Sequence, residues 1–130
     1  NSSRQVTPQT PYVGLCMDYL KLLTALNLDL NNGNTGSVKF FRTNIYSIFI
    51  WFQVLIYYYK KENLTTELLL KEKFLSNISR PTVFKIIDNA VVKGYLSKVI
   101  NEEDHRKFNI LPSKVTVSEY EEWAQIYKGY

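Results

Sequence analysis

A chain of 130 residues is long enough to bury a real core and too short for two independent domains. Hydrophobic residues make up 45% and charged residues 22%, which excludes wholesale disorder, and the formal net charge of +4 leans toward anionic partners without deciding on one. The single cysteine, Cys16, excludes an intrachain disulfide and suits a reducing, cytoplasmic compartment, as a small buried apolar residue between Leu15 and Met17.

Residues 1–11, with Pro8 and Pro11 among Ser, Thr and Gln, read as a flexible N-terminal arm without the apolar core of a secretion signal. From Tyr12 to Leu30, the residues Leu15, Tyr19, Leu22, Leu23 and Leu26 recur at helical steps and predict a helix with one buried stripe. The turn formers from Asn31 to Gly36 end it. A second helix is predicted from about Phe40 to Lys61. Its stretch from Ile45 to Tyr59 is apolar nearly all round, yet falls short of the roughly 20 residues that a membrane span requires. Such a helix needs cover on every side, and in a chain this short part of that cover is expected from a second copy. Tyr19, Leu23, Trp51 and Leu55 are therefore the candidate dimer interface of a homodimer. Tyr46, Phe49, Trp51 and Phe52 read as core filling.

Beyond Asn63 the pattern changes to shorter amphipathic pieces with interleaved charge. Thr65 or Thr66 caps a helix running to about Leu75, with Leu68, Leu69 and Phe74 facing inward. After a break at Ser76, Asn77 and Ile78, Ser79 caps the next helix and Pro81 sits in its first turn, where the missing amide hydrogen costs little. Val83, Ile86, Ile87 and Ala90 form its apolar stripe, Arg80, Thr82, Lys85 and Asn89 lie opposite, and Gly94 stops it. Two β-prone stretches, Tyr95 to Asn101 and Lys107 to Leu111, flank the charged turn from Glu102 to Arg106 and predict a hairpin that ends at Pro112 and Ser113. A last helix carries Tyr120, Trp123, Ala124 and Tyr127 and starts either at Ser113 or at Ser118, where Glu121 completes a capping box.

Helix, short break, helix with a polar outer face and then a charged hairpin is the order of a winged helix-turn-helix, whose second helix enters the major groove of DNA. The fold class is mainly α with a small β-hairpin wing. Residues 12–130 form one winged-helix domain, with dimerisation helices over 12–62, the helix-turn-helix and wing over 63–113 and a C-terminal helix over 114–130. Arg80 and Lys85 can reach phosphates or guanine edges, Thr82 and Asn89 can bond to phosphates or bases, and the helix N-terminus at Ser79 and Pro81 favours phosphate. At the hairpin turn Arg106, followed by Lys107, can enter a narrow minor groove. Residues 60–114 hold eleven Lys or Arg against seven Asp or Glu, and 11 − 7 equals the whole net charge of +4.

The stretch from Ser79 to Leu96 resembles the recognition helix and following glycine of the MarR family of bacterial transcription regulators, and Asp104-His105-Arg106-Lys107 resembles that family's Asp-x-Arg wing signature. The similarity covers about residues 64–113 and implies an α-helical dimer with two winged lobes, Arg106 in the minor groove, Asp104 supporting the wing through local ion pairs, and a pocket for a small-molecule effector that Tyr46, Phe49, Trp51 and Phe52 could line, although core filling accounts for them better. Three departures stand out. Pro112-Ser113 replaces the usual Leu-Thr at the end of the wing. Phe84 occupies a place that is usually small and polar, where it can touch a thymine methyl or pack against the wing. The residues after Ser113 leave little room for the family's last dimerisation helix.

The resemblance implies sequence-specific binding of double-stranded DNA as a transcriptional regulator, through Ser79, Arg80, Pro81, Thr82, Phe84, Lys85, Asn89, Arg106 and Lys107. The competing reading is a winged helix used only for protein contacts. Catalysis is not expected: one histidine, His105, and one cysteine supply neither metal-ligand spacing nor a nucleophile with its base, and no glycine-rich phosphate loop occurs. No cofactor or metal is called for.

Overall fold

The computed structural model describes residues 9–33 and 35–127, with side chains described from Tyr19 onward apart from Asn32. Two compact units divide it: residues 35–121, and residues 1–34 together with 122–130.

In the larger unit, helix α2 (Gly36–Phe41) is followed by α3 (Ile45–Lys60), α4 (Thr66–Leu70), a 3₁₀ helix (Lys73–Asn77), α5 (Arg80–Val92), strands β1 (Leu96–Ile100) and β2 (Phe108–Pro112), and α6 (Lys114–Ala124), whose residues up to Glu121 belong here. The single long helix expected over Phe40 to Lys61 is thus two helices. The Asn44 side chain accepts bonds from the amides of Tyr46 and Ser47, a cap that starts α3 afresh inside an apolar run. Lys61, in the left-handed region at φ 60°, closes α3. Thr65 caps α4 by accepting from the Leu68 amide, as expected, but the helix ends at Leu70 and the chain tightens into the 3₁₀ turn before α5. Leu69 and Leu75 are buried there, whereas Leu68, expected inward, is exposed. Pro112 does not end the hairpin. It belongs to β2, opposite Leu96, and the register runs out to Ile100 opposite Phe108. The other edge of β2 is held by the Ile110 amide, which donates to the Leu64 carbonyl at 2.8 Å.

The core of this unit gathers Phe41, Ile50, Trp51, Val54, Leu64, Leu69, Val83, Ile87, Leu96 and Ile110. Phe41 stacks on Trp51 at 6.1 Å between ring centroids, and Tyr120 meets the same indole edge-on at 5.9 Å. Trp51 and Leu55 are only 1% and 3% exposed, so these two residues line the protomer's own interior and do not present a face to a second copy. Tyr46 and Phe49 pack on Phe74 at 5.3 and 5.0 Å. No helix among the described residues is long and apolar enough to cross a membrane.

The start of α2 is fastened from far along the chain. Both the amide and the hydroxyl of the fully buried Ser37 donate to Glu119 Oε1, at 2.8 and 2.6 Å. Just before it, Gly36 adopts φ +62°, and a Cβ at that position would collide with the Glu119 carboxylate. Gly36→Ala is therefore expected to lower the unfolding free energy by about 1–2 kcal/mol from the left-handed backbone alone, with the collision adding to it, as read by urea denaturation.

In the smaller unit, helix α1 spans Gln9–Asn32, so it begins before Tyr12 and takes in the end of the expected arm. The rest of that arm, residues 1–8, and the side chains of Leu15 and Cys16 lie outside the described residues. Asp29 is buried and accepts a 2.7 Å bond from the Trp123 indole nitrogen, with the Tyr127 hydroxyl at 3.5 Å. The apolar stripe, by contrast, is left exposed by the described residues. Tyr19 and Leu23 are 62% and 64% exposed, and Leu20, Leu26 and Leu30 are exposed with them.

Candidate nucleic-acid interface

α5 forms where its sequence places it because both ends are specified. Ser79 caps the helix by accepting from the Thr82 amide, Pro81 occupies the first turn, and the Tyr95 amide closes the far end on the Ala90 carbonyl at 2.9 Å, across Gly94 at φ +82°. Val83, Ile87 and Ala90 are buried against the unit's core. Ser79, Arg80, Pro81, Thr82, Lys85 and Asn89 are exposed, and Phe84 is half-buried. One face of the helix is thus anchored in apolar packing while the opposite face carries donors into solvent.

Within that face the residues differ in how freely they can move. The Ser79 and Thr82 hydroxyls share a bond at 2.8 Å. Arg80 pairs with Glu67 of α4 at 3.4 Å and lies over the Phe84 ring at 5.8 Å, which orients its guanidinium across the helix-turn-helix. Both partners of that pair are exposed, so the pair contributes little and gives way readily to a stronger anion. Among the described residues no carboxylate pairs with Lys85.

The hairpin is built around Asn101, a residue that no pattern in the sequence singles out as functional. Asn101 is buried. Its amide nitrogen donates to Asn109 Oδ1 at 2.8 Å, its Oδ1 accepts from the amides of Glu103 and Asp104 at 2.9 and 3.0 Å, and its backbone amide donates to the Lys107 carbonyl at 2.9 Å. The turn from 101 to 107 is therefore a fixed shape. An asparagine at the entry of an acidic turn is the available signal, since its side chain readily bonds to amides two residues on. Asn101→Ala is expected to speed hydrogen exchange at the Glu103 and Asp104 amides by roughly tenfold, for a loss of about 1–2 kcal/mol of local structure, with the exchange of α5 unchanged.

On this turn the Asp104 carboxylate clasps Arg106, accepting from its backbone amide at 3.0 Å, from Nε at 3.1 Å and from a terminal guanidinium nitrogen at 3.3 Å. The side-chain and backbone bonds from Arg106 hold the Asp104 carboxyl below its ordinary range, so the clasp favours the ionised carboxylate. The Arg106 side chain is nonetheless 90% exposed. It is aimed outward from a rigid base. Lys107 follows it, half-buried, with its amide bonded to the Asp104 carbonyl. His105 is exposed on the same turn, and no cluster of metal-ligating side chains occurs among the described residues.

α5 and the hairpin also touch directly. Lys98 of β1 bridges to Asp88 of α5 at 3.2 Å, which ties the hairpin to the helix.

These elements, in this order, overlay on a known architecture. The chain has a MarR-like fold. It is similar to the crystal structure of wild-type apo MarR from E. coli at 17% identity and a TM-score of 0.51, over 96% of this chain and 80% of that one. A mutant MarR from E. coli complexed with operator DNA is similar at 18% identity and a TM-score of 0.51, over 92% of this chain and 75% of that one. No protein-family model matches the chain, and no curated protein sequence does.

Proposed function

We propose that this protein is a MarR-like transcription regulator that binds double-stranded DNA sequence-specifically as a homodimer. The observation that carries the reading is the sidedness of α5: Val83, Ile87 and Ala90 are buried while Arg80, Thr82, Lys85 and Asn89 stand exposed on the opposite face. A helix set this way can lie in the major groove with its N-terminal side chains on base edges and phosphates. Ser79 and Pro81 would lie against the backbone, where the helix N-terminus favours a phosphate, and Phe84 would present its ring to a thymine methyl. Arg106 would follow the minor groove from the wing, with Asp104 holding its base and Lys107 on an adjoining phosphate. The similarity to a MarR in complex with operator DNA supports the same placement.

Dimerisation would run through α1, whose exposed Tyr19 and Leu23 continue into Leu26 and Leu30. An apolar stripe of that size on a free helix demands cover. Residues 12–62 would then hold the dimerisation helices, residues 63–113 the helix-turn-helix and wing, and residues 114–130 a C-terminal helix. A cytoplasmic regulator of this kind uses no catalytic group.

Fluorescence anisotropy with a labelled duplex across a salt series tests the proposal. Log affinity should fall linearly with log salt, by a slope of about −0.9 for each phosphate neutralised. Absence of binding even at low salt would instead favour a winged helix that docks proteins.

A further inference from the structure

The inner face of the hairpin does not stop being apolar where the core stops. Residues directly opposite in an antiparallel pair share a face, so Leu96 with Pro112, Lys98 with Ile110, and Ile100 with Phe108 form one surface. At its base Leu96 and Ile110 are buried. At its outer end Ile100 and Phe108 face each other at 54% and 38% exposure, with no core beneath them. This surface is the one turned toward α5, because Lys98 on it bridges to Asp88 at 3.2 Å. The Lys98 ammonium also lies 5.2 Å from the centre of the Phe108 ring. Arg106 and Lys107 lead directly into Phe108. An apolar ridge therefore stands beside the Lys98 ammonium, on the face of the hairpin turned toward α5.

We propose that Ile100 and Phe108 form a second reading element of the wing, an apolar ridge that packs on the deoxyribose wall of the minor groove beside Arg106. This rests on the DNA-binding reading above. Duplex DNA is the occupant that the setting selects. Its sugar edges are apolar, its phosphates lie on both sides of them, and the ridge offers apolar side chains beside Lys98 and next in sequence to Arg106 and Lys107. Apolar side chains entering the minor groove are a general means of gripping and opening a base step.

The double variant Ile100→Thr/Phe108→Thr keeps β-forming side chains while removing the hydrocarbon. With a fluorescein-labelled A·T-rich duplex, its affinity should fall roughly tenfold at fixed salt, as expected when apolar burial is removed. The slope of log affinity against log salt should stay as in the parent, because no charge is removed. Phe108→Tyr should bind as the parent does. Affinity unchanged in the double variant would overturn the ridge while leaving the DNA-binding reading intact. A parent protein that binds no duplex would remove both. A variant altered in sedimentation but not in DNA affinity would make the ridge a protein contact and overturn the proposal. Should the double variant not fold, hydroxyl-radical footprinting of the parent decides the matter: Phe108 should be protected by the duplex, and undiminished oxidation would refute the ridge.

Discussion

The double variant Lys85→Ala/Arg106→Ala should bind duplex DNA roughly a hundredfold more weakly than the parent, since a side chain that reaches a base or a phosphate is worth about 1–3 kcal/mol in such an interface. The two sites should contribute separately, because Lys85 sits on α5 and Arg106 on the hairpin turn, where Arg106 is clasped by Asp104. The salt dependence should weaken as well, its slope becoming shallower by about one for each phosphate that is no longer neutralised. Both side chains are exposed and neither supports the core, so the melting temperature should hold. Affinity unchanged in both single variants would remove these residues from the interface. Phe84→Ser gives a complementary readout. If its ring meets bases, relative affinities among sequences should change more than the total, and an equal loss on every sequence would count against base recognition.

Trp51→Ala should unfold the larger unit or bring it to the edge of unfolding. Removing a buried tryptophan typically costs about 3–5 kcal/mol, a large part of the 5–15 kcal/mol that holds an ordinary domain together. The indole is stacked on Phe41 and met edge-on by Tyr120, so the loss would open a cavity between α2, α3 and α6. The matching experiment on α1 has the opposite signature. Leu23→Asp places a charge on an exposed stripe, so the protomer should stay folded while sedimentation equilibrium shows the dimer dissociating. A parent protein that sediments as a monomer would defeat the α1 interface outright.

Helix α5 and the hairpin are legible in the sequence because their signals are local. Ser79 and Pro81 announce the start of α5, Gly94 its end, and the alternation on either side of the acidic turn announces the strands. The failures have physical causes of equal clarity. Phe40 and Phe41 lead into Ile45 to Tyr59 with apolar residues on both sides of the break, so periodicity alone spans it, and only the Asn44 cap marks a new start. The expectation of Trp51 and Leu55 at a dimer seam rests on the cover that so apolar a helix needs. That cover comes instead from residues remote in sequence, among them Phe41 and Tyr120. The exposed polar positions of α5 follow from the side opposite its stripe, whereas Asn101 and the pairing of Ile100 with Phe108 depend on hairpin register, which no spacing in the sequence discloses.

The bond from Ser37 to Glu119 spans 82 residues. Its partners are therefore made at opposite ends of the larger unit's synthesis, and during translation α2 must wait for α6 before its first turn is satisfied. Until then Phe41 and Trp51 lack Tyr120, and the nascent chain carries uncovered aromatic surface. Closing so long a loop delays the reward for ordering it, which slows folding relative to a bundle of neighbouring helices. The nascent protein should accordingly engage a chaperone up to the point at which residue 119 clears the ribosome, and release it in a single late step.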